Sequence, residues 1–355
     1  MILFILPCFS GGGAERVSLT LLKGLYEKGY SVGLIVFDQN GPLSSIVPDG
    51  VPIYNLGTIA LRRSIVPLIK KIQQLKPKVI FSTFGYINVA LLAIRWILKL
   101  KIKLLVREAN LPSISLPNNS WEKLMTASYR LLYPKADKLI CTSIRMVDEF
   151  TSTFSVPESI IELLPNPIDV DAIRELSMPI KCFDKEGVRY VASGRLTFQK
   201  GFDRLLYWFS ELNDEKSTLV ILGDGNDKSA LIQQAKDLNI QNQVKFLGFC
   251  DNPWQWYAGA DVTLISSRWE GMPNVALESL ACGTPVISTI ESGGVAEIAR
   301  QVRNNELIVV SSHTSFIDEM LKIKPNSTKT TKVSLLPEIY HAKSSISAFE
   351  KLINL

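Results

Sequence analysis

The feature that most restricts this chain is a repeated order of signals: an apolar run of strand length, a loop, then an apolar pattern of helical period. It occurs first at the start, where Ile2 to Leu6 runs through Ser10-Gly11-Gly12-Gly13-Ala14-Glu15-Arg16 into Val17, Leu21, Leu22 and Leu25. A second strand, Val32 to Phe37, follows. The rhythm continues with a helix from Ile65 to Leu75, a strand Lys78 to Ser82, an apolar helix from Asn88, and strands Lys103 to Arg107 and Lys138 to Thr142. Alternation of this kind predicts an α/β fold, with a parallel sheet carrying helices on both faces.

With 355 residues the chain can bury two cores. Leu163-Leu164-Pro165-Asn166-Pro167-Ile168-Asp169 contains two prolines around Asn166, a stiff turn that cannot be helix and marks a domain linker. The same rhythm then resumes: strand Val188 to Ser193, loop Gly194 to Gly201, helix Phe202 to Leu212, and strand Leu219 to Leu222 with its Gly223-Asp224-Gly225 turn. A polar helix to Leu238, strand Val244 to Leu247 and Gly248-Phe249-Cys250 follow. Each half therefore reads as Rossmann-like.

Two tempting nucleotide signals are weak. The glycines at 11, 12 and 13 lack the spaced pattern of a dinucleotide site, whose third position is Arg16 here, although Asp38 after the second strand imitates a ribose-binding acid. Adjacent glycines instead allow backbone to approach a ligand closely. Asp169-Val170-Asp171 spells a metal-binding Asp-x-Asp, but it falls in the linker and away from any glycine loop or strand end that would hold a nucleotide.

The densest chemistry lies from Ile265 to Glu297. Glu270 and Glu278 flank Pro273-Asn274, followed by an apolar helical pattern that stops at Gly283 and a strand Pro285 to Ser288. Pro273 suits the first helical position, with Glu278 about two turns in. The leading amides of Asn274 and Val275 would then form a phosphate site at the positive end of the helix. Eight helical residues span ~12 Å, so the two carboxylates would grip two ends of a long anionic ligand; a surface loop with two solvated glutamates is the plainer alternative. Arg195 and Lys200, in a loop between strand and helix, are placed to neutralise a diphosphate.

Taken in order, Glu270, Glu278, the Gly283-Thr284-Pro285-Val286 turn and the Gly293-Gly294-x-x-Glu297 loop resemble the donor-site segment of the family 4 glycosyltransferases, group 1 of the GT-B superfamily. Gly194-Arg195 to Lys200-Gly201 resembles the same family's pyrophosphate motif. The resemblance implies two Rossmann-like domains facing each other across a cleft, residues 1–166 for the acceptor and 167–338 for the nucleotide sugar. The helix in 339–355 would cross back onto the first domain, and Asp169-Val170-Asp171 would be a hinge.

It further implies a retaining, metal-independent transfer of a hexose or N-acetylhexosamine from a nucleotide sugar, UDP-linked or GDP-linked, with no cofactor. Glu270 would be the catalytic residue. Arg195, Lys200, Asn274, Val275, Glu278, Gly12, Gly13 and Phe249 would bind the donor, Phe249 beside the base unless it is a plain core aromatic. Arg107 and Glu108 stand where many relatives carry an acceptor-side histidine; they are acceptor-side candidates or a salt-bridged strand end. His313 and His341 both lie far downstream, which weakens the alternative of a UDP-sugar epimerase. A sugar-nucleotide-binding protein without turnover is the third reading. Trp254, Trp256 and Tyr257 read as helix packing.

Charge supplies the partner. Met1 to Leu176 holds 20 Lys and Arg against 14 Asp and Glu, whereas the remainder is nearly balanced. The excess clusters at Arg62, Arg63, Lys70, Lys71, Lys76 and Lys78, then at Arg95, Lys99, Lys101 and Lys103 around Trp96. Such a face suits an anionic membrane surface or simply solvent; no nucleic-acid motif accompanies it. Five scattered cysteines and no signal-peptide pattern predict free thiols and a cytoplasmic chain, free or peripheral on the inner membrane face. Its acceptor would be a lipid-linked saccharide or polysaccharide of the cell surface.

Overall fold

The computed structural model describes residues 1–58, 60–117, 121–178, 186–303, 305–326 and 332–354. Two compact units emerge: Met1–Pro167 together with the segment from Ala342 onward, and Ile168–His341.

The first unit is a seven-stranded, wholly parallel sheet. Its strands are β1 Ile2–Leu6, β2 Val32–Val36, β3 Ile53–Asn55, β4 Val79–Ser82, β5 Lys103–Arg107, β6 Lys138–Cys141 and β7 Ile161–Leu163. They lie in the order β3-β2-β1-β4-β5-β6-β7. Because successive side chains on a strand point to opposite faces, β1 feeds two cores. Leu3 and Ile5 pack with Ile35, Phe37 and Leu91, while Ile2, Phe4 and Leu6 pack with Leu21, Leu25 and Phe349.

The second core is completed by the helix Ala342–Asn354. Phe349 meets Phe4 and Phe81 at ring separations of 6.2 and 5.0 Å. Ile346 comes so close to Gly24 that a Cβ there would lie 2.1 Å from its Cδ1. Glu350 pairs with Lys28 and accepts from the Tyr30 hydroxyl at 2.7 Å. The chain just before this helix still belongs to the second unit, a little past the expected end at 338: Tyr340 is buried in that unit's core, and its carbonyl accepts from the Ile168 amide at 2.9 Å.

The second unit has a six-stranded parallel sheet in the order β10-β9-β8-β11-β12-β13. The strands are β8 Arg189–Ser193, β9 Thr218–Leu222, β10 Val244–Gly248, β11 Val262–Ile265, β12 Val286–Thr289 and β13 Leu307–Val310. Both sheets thus reverse their winding once, between β1 and β4 and between β8 and β11. In doubly wound sheets ligands bind beyond the carboxyl ends of strands at such a reversal. The glycine loop follows β1, the Arg195 loop follows β8, and the Glu270 loop follows β11.

Some sequence expectations change. Asp169, just past the boundary between the two units, caps the helix Val170–Leu176, its carboxylate accepting from the Ala172 amide at 3.1 Å. Asp38 closes a turn, accepting from the amide of Asn40 at 3.1 Å. Trp254 and Tyr257 are core residues on the helix Trp254–Gly259, as helix packing predicts. Cys8, Cys141, Cys250 and Cys282 are free thiols; Cys182, and most of the expected polar loop Lys324 to Lys332, lie outside the described residues. No helix among the described residues is long and apolar enough to cross a membrane.

Candidate active site

In the second unit, the loops after β8 and β11 are bolted together. Lys200 forms an ion pair with Glu270 Oε1, and Ser267 Oγ donates to the same oxygen at 2.7 Å. Glu270 is 7% exposed, and its Oε2 has no hydrogen-bond partner among the described residues. That oxygen can accept from a hydroxyl or face a developing positive charge. Arg195, in the same loop as Lys200, is exposed; nothing among the described residues engages its guanidinium.

Residues outside the motifs hold this pair. Arg204 donates from Nε to the Ser266 carbonyl and from a terminal nitrogen to the Ser267 carbonyl, both at 2.8 Å. Ser266 Oγ returns a bond to the Lys200 carbonyl at 3.0 Å. Arg268 grips Asp203 with two bonds of 2.8 and 2.6 Å, holding that carboxyl below its ordinary range despite some burial. Gln199 donates to the Trp269 carbonyl at 3.0 Å. None of these was singled out in the sequence; the only hint is that Asp203 and Arg204 follow the Lys200-Gly201 motif directly.

Three glycines make the approach possible. At Gly201 (φ 65°) a Cβ would lie 2.1 Å from the Ser266 carbonyl oxygen, and at Gly293 (φ 69°) 2.1 Å from the Glu270 carbonyl oxygen. Gly294 adds an amide bond of 2.8 Å to the Gly271 carbonyl. The Gly293-Gly294 loop therefore presses directly on the backbone of the catalytic candidate.

The helix runs Asn274–Ala281 with Pro273 as its N-cap. Pro273 is thus one position earlier than predicted, and Glu278 is little more than one turn in, not two. Asn274 and Val275 lead the helix and are half-buried at its amino-terminal end, while the Ala276 amide is taken by the Pro273 carbonyl at 3.1 Å. Glu278 is buried. Burial, then the nearby Glu278 charge, pushes the Cys282 thiol up. Phe249 is 50% exposed at the end of β10, so the core-aromatic alternative falls. The Gly223 amide bonds the Gly248 carbonyl at 2.7 Å beside it. His341 Nε2 lies 3.3 Å from the Leu336 carbonyl, and His313 opens the helix His313–Lys322.

In the first unit, Gly12 caps the helix Gly13–Glu27. A carboxylate already sits there: a Cβ on Gly12 would be 2.3 Å from Glu15 Oε2, and Ser10 Oγ donates to Glu15 Oε1 at 2.5 Å. Burial, with Cys8 and Glu15 nearby, lifts the Tyr86 phenol to about 12.

Arg107 and Glu108 end β5 buried, but not as the salt-bridged strand end that was the alternative. Arg107 donates to Thr83 Oγ1 at 2.5 Å and to Asn166 Oδ1; burial lowers it to about 10. Glu108 accepts from Asn88 Nδ2 at 2.8 Å and from the Tyr133 hydroxyl. Burial outweighs those bonds and raises its carboxyl from the ordinary 4.5 to about 7.

The folded state therefore holds a proton that the unfolded chain releases. This contribution to stability is complete below the unfolded value and is lost as pH rises through about 7. Urea midpoints are expected to fall between about pH 5 and pH 8, and Glu108→Gln is expected to flatten that slope. An unchanged slope in the variant would refute the assignment.

With the geometry in hand, similarity to known proteins decides the family. The profile for glycosyl transferases group 1 matches residues 174–334, and that for Glycosyltransferase Family 4 matches residues 11–172. The chain belongs to the group 1 glycosyltransferases. This glycosyltransferase is 29% identical over 343 residues to the N-acetylgalactosamine-N,N'-diacetylbacillosaminyl-diphospho-undecaprenol 4-alpha-N-acetylgalactosaminyltransferase of Campylobacter jejuni, covering 90% of this chain and 91% of that one. It is 24% identical over 326 residues to the amylovoran biosynthesis glycosyltransferase AmsD of Erwinia amylovora, covering 88% and 89%. Its fold matches Anabaena HepE crystallised with UDP-glucose, with a TM-score of 0.77 at 17% identity over 100% of this chain and 99% of that one. The GT-B fold, with two parallel-sheet Rossmann-like units, is thereby established for the glycosyltransferase.

Proposed function

We propose that this glycosyltransferase moves a hexose or N-acetylhexosamine from a UDP-sugar to a lipid-linked saccharide, with retention of anomeric configuration and without a metal ion. The observation that carries the reading is the Lys200–Glu270 pair at the β8/β11 reversal, with Glu270 Oε2 open and Arg195 exposed in the same loop. Support for the substrates comes from relatives: the Campylobacter enzyme is named for a diphospho-undecaprenol acceptor, and HepE holds UDP-glucose.

Arg195, Lys200 and the leading amides at Asn274 and Val275 stabilise the charge that builds on the departing diphosphate, the kind of preorganised electrostatics that usually dominates a rate enhancement. As the bond from the anomeric carbon to the diphosphate oxygen breaks, Glu270 faces the oxocarbenium-like sugar. The acceptor oxygen bonds to the anomeric carbon from the departing side, and its proton passes to the freed phosphate oxygen. Glu278 takes the ribose hydroxyls, and Phe249 lies along the uracil. The first unit receives the acceptor through the loops at Gly12, Gly13, Arg107 and Glu108. Glu15 against Gly12 argues that this loop favours hydroxyls over phosphate. The protein works in the cytoplasm, against the inner face of the membrane.

Incubation with UDP-glucose, UDP-galactose, UDP-N-acetylglucosamine or UDP-N-acetylgalactosamine, excess EDTA and a polyprenyl-diphosphate saccharide tests this by product mass and by NMR of the anomeric proton. Transfer with an α-linked product from an α-linked donor is expected. An inverted product, an epimerised donor, or transfer only on restoring a divalent ion would each overturn part of the reading.

A further inference from the structure

At the amino-terminal ends of β5 and β6, the edge of the sheet opposite to Arg107 and Glu108, a groove of about 710 Å³ is lined by Arg95, Trp96, Lys99, Lys101, Lys103, Lys135 and Asp137, among others. Its one carboxylate is already used. Asp137 Oδ2 takes the Arg95 ion pair and also accepts from the Leu104 amide at 2.7 Å. Arg95 completes its bonding on the carbonyl of Lys135. Four ammonium groups are left, on Lys99, Lys101, Lys103 and Lys135, with no carboxylate partner among the described residues.

Lys103 is the most unusual of the four: its Nζ is buried without any hydrogen-bond partner among the described residues. A buried charge without a counter-charge is costly, and an anion seated in the groove would offset that cost. Lys135 lies over the Trp96 ring at 3.8 Å. Beside the cations stand two outward apolar side chains, Trp96 at 55% and Ile97 at 69% exposure. A soluble anion site needs no such neighbours. An aromatic ring flanked by lysines is what a lipid interface selects, with the ring at headgroup depth and the ammonium groups on phosphates.

We propose that this groove seats the phosphate of an anionic phospholipid headgroup, with Trp96 and Ile97 entering the interface, and so forms the membrane contact of the first unit. It deepens the membrane placement proposed above and rests on it, but assigns the contact to one groove and not to net charge. The helix Leu61–Leu75, with Arg62, Arg63, Lys70 and Lys71, supplies the internal control.

The test is co-sedimentation of the full chain with vesicles of phosphatidylcholine alone or mixed with phosphatidylglycerol, at low and high salt. Binding is expected only to the mixed vesicles and only at low salt. Losing two basic residues, at about 1 kcal/mol each, corresponds to a weakening of roughly thirtyfold for Lys99→Gln with Lys101→Gln, and Trp96→Ser is expected to weaken it further. Arg62→Gln with Arg63→Gln is expected to change it less than threefold or so. Equal loss from both pairs would show diffuse charge and overturn the groove. So would binding of inorganic phosphate, seen by calorimetry, without vesicle binding. Circular dichroism and thermal denaturation report folding of every variant, all of which lie in the first unit, and transfer to a water-soluble saccharide acceptor tests the enzymatic reading separately from vesicle binding.

Discussion

Lys200→Ala is expected to lower kcat/KM by about two to three orders of magnitude, the usual cost of removing one preorganised donor from a transition-state anion site. Two consequences of the ion pair explain why the effect should be so large. The variant loses the cation proposed to meet the leaving diphosphate, and it leaves Glu270, which is 7% exposed, with only the Ser267 hydroxyl on its charged oxygen. Glu270→Gln is expected to lower kcat by a comparable factor while UDP affinity changes little, because in the proposed mechanism the charge it removes faces the sugar. The double variant should lose far less than the product of the single losses, since the two side chains form one unit. Steady-state kinetics with calorimetric UDP titration checks all three. Near-normal turnover in Glu270→Gln would remove Glu270 from the mechanism.

Gly201→Ala is expected to destabilise the second unit by about 3 kcal/mol and to weaken UDP binding roughly tenfold to a hundredfold. The backbone there is left-handed at φ 65°, and the added carbon would lie 2.1 Å from the carbonyl oxygen of Ser266. That carbonyl is fixed by Arg204 at 2.8 Å, so it cannot swing aside cheaply. Gly29→Ala provides the contrast. Its φ is 83° but no atom lies within 4 Å of the new carbon, leaving only the intrinsic cost of about 1–2 kcal/mol for a left-handed residue. Thermal denaturation of both variants should therefore separate close approach from backbone strain. Equal shifts would mean that the contact between the two loops contributes nothing.

The strand-loop-helix order and the loops that carry Arg195, Lys200 and Glu270 could be read from the sequence because each is local: a few apolar residues, a glycine, a helical period. Contacts between distant segments could not. Lys200 and Glu270 are 70 positions apart, and nothing in either motif says that one cation is held by the other motif's acid. Glu108 is a similar case. Its environment is assembled from Asn88, Tyr129 and Tyr133, residues that look like ordinary helix positions until the helices pack. The depth of Glu278 in its helix differs from the sequence expectation for a smaller reason. Pro273 is compatible with both cap and first turn, and a shift of one residue relocates everything counted from it.

The helix Ala342–Asn354 has a consequence for how the polypeptide matures on the ribosome. Domains generally fold as they emerge, amino-terminal first, yet Phe4 and Phe81 await Phe349, and the surface at Gly24 awaits Ile346. Everything needed by the unit Ile168–His341 leaves the exit tunnel before those two side chains do. Synthesis should therefore deliver a finished second unit while the earlier-made unit still exposes an oily flank. That interval gives a chaperone something to hold, and makes premature termination far more damaging to the beginning of the protein than to its middle.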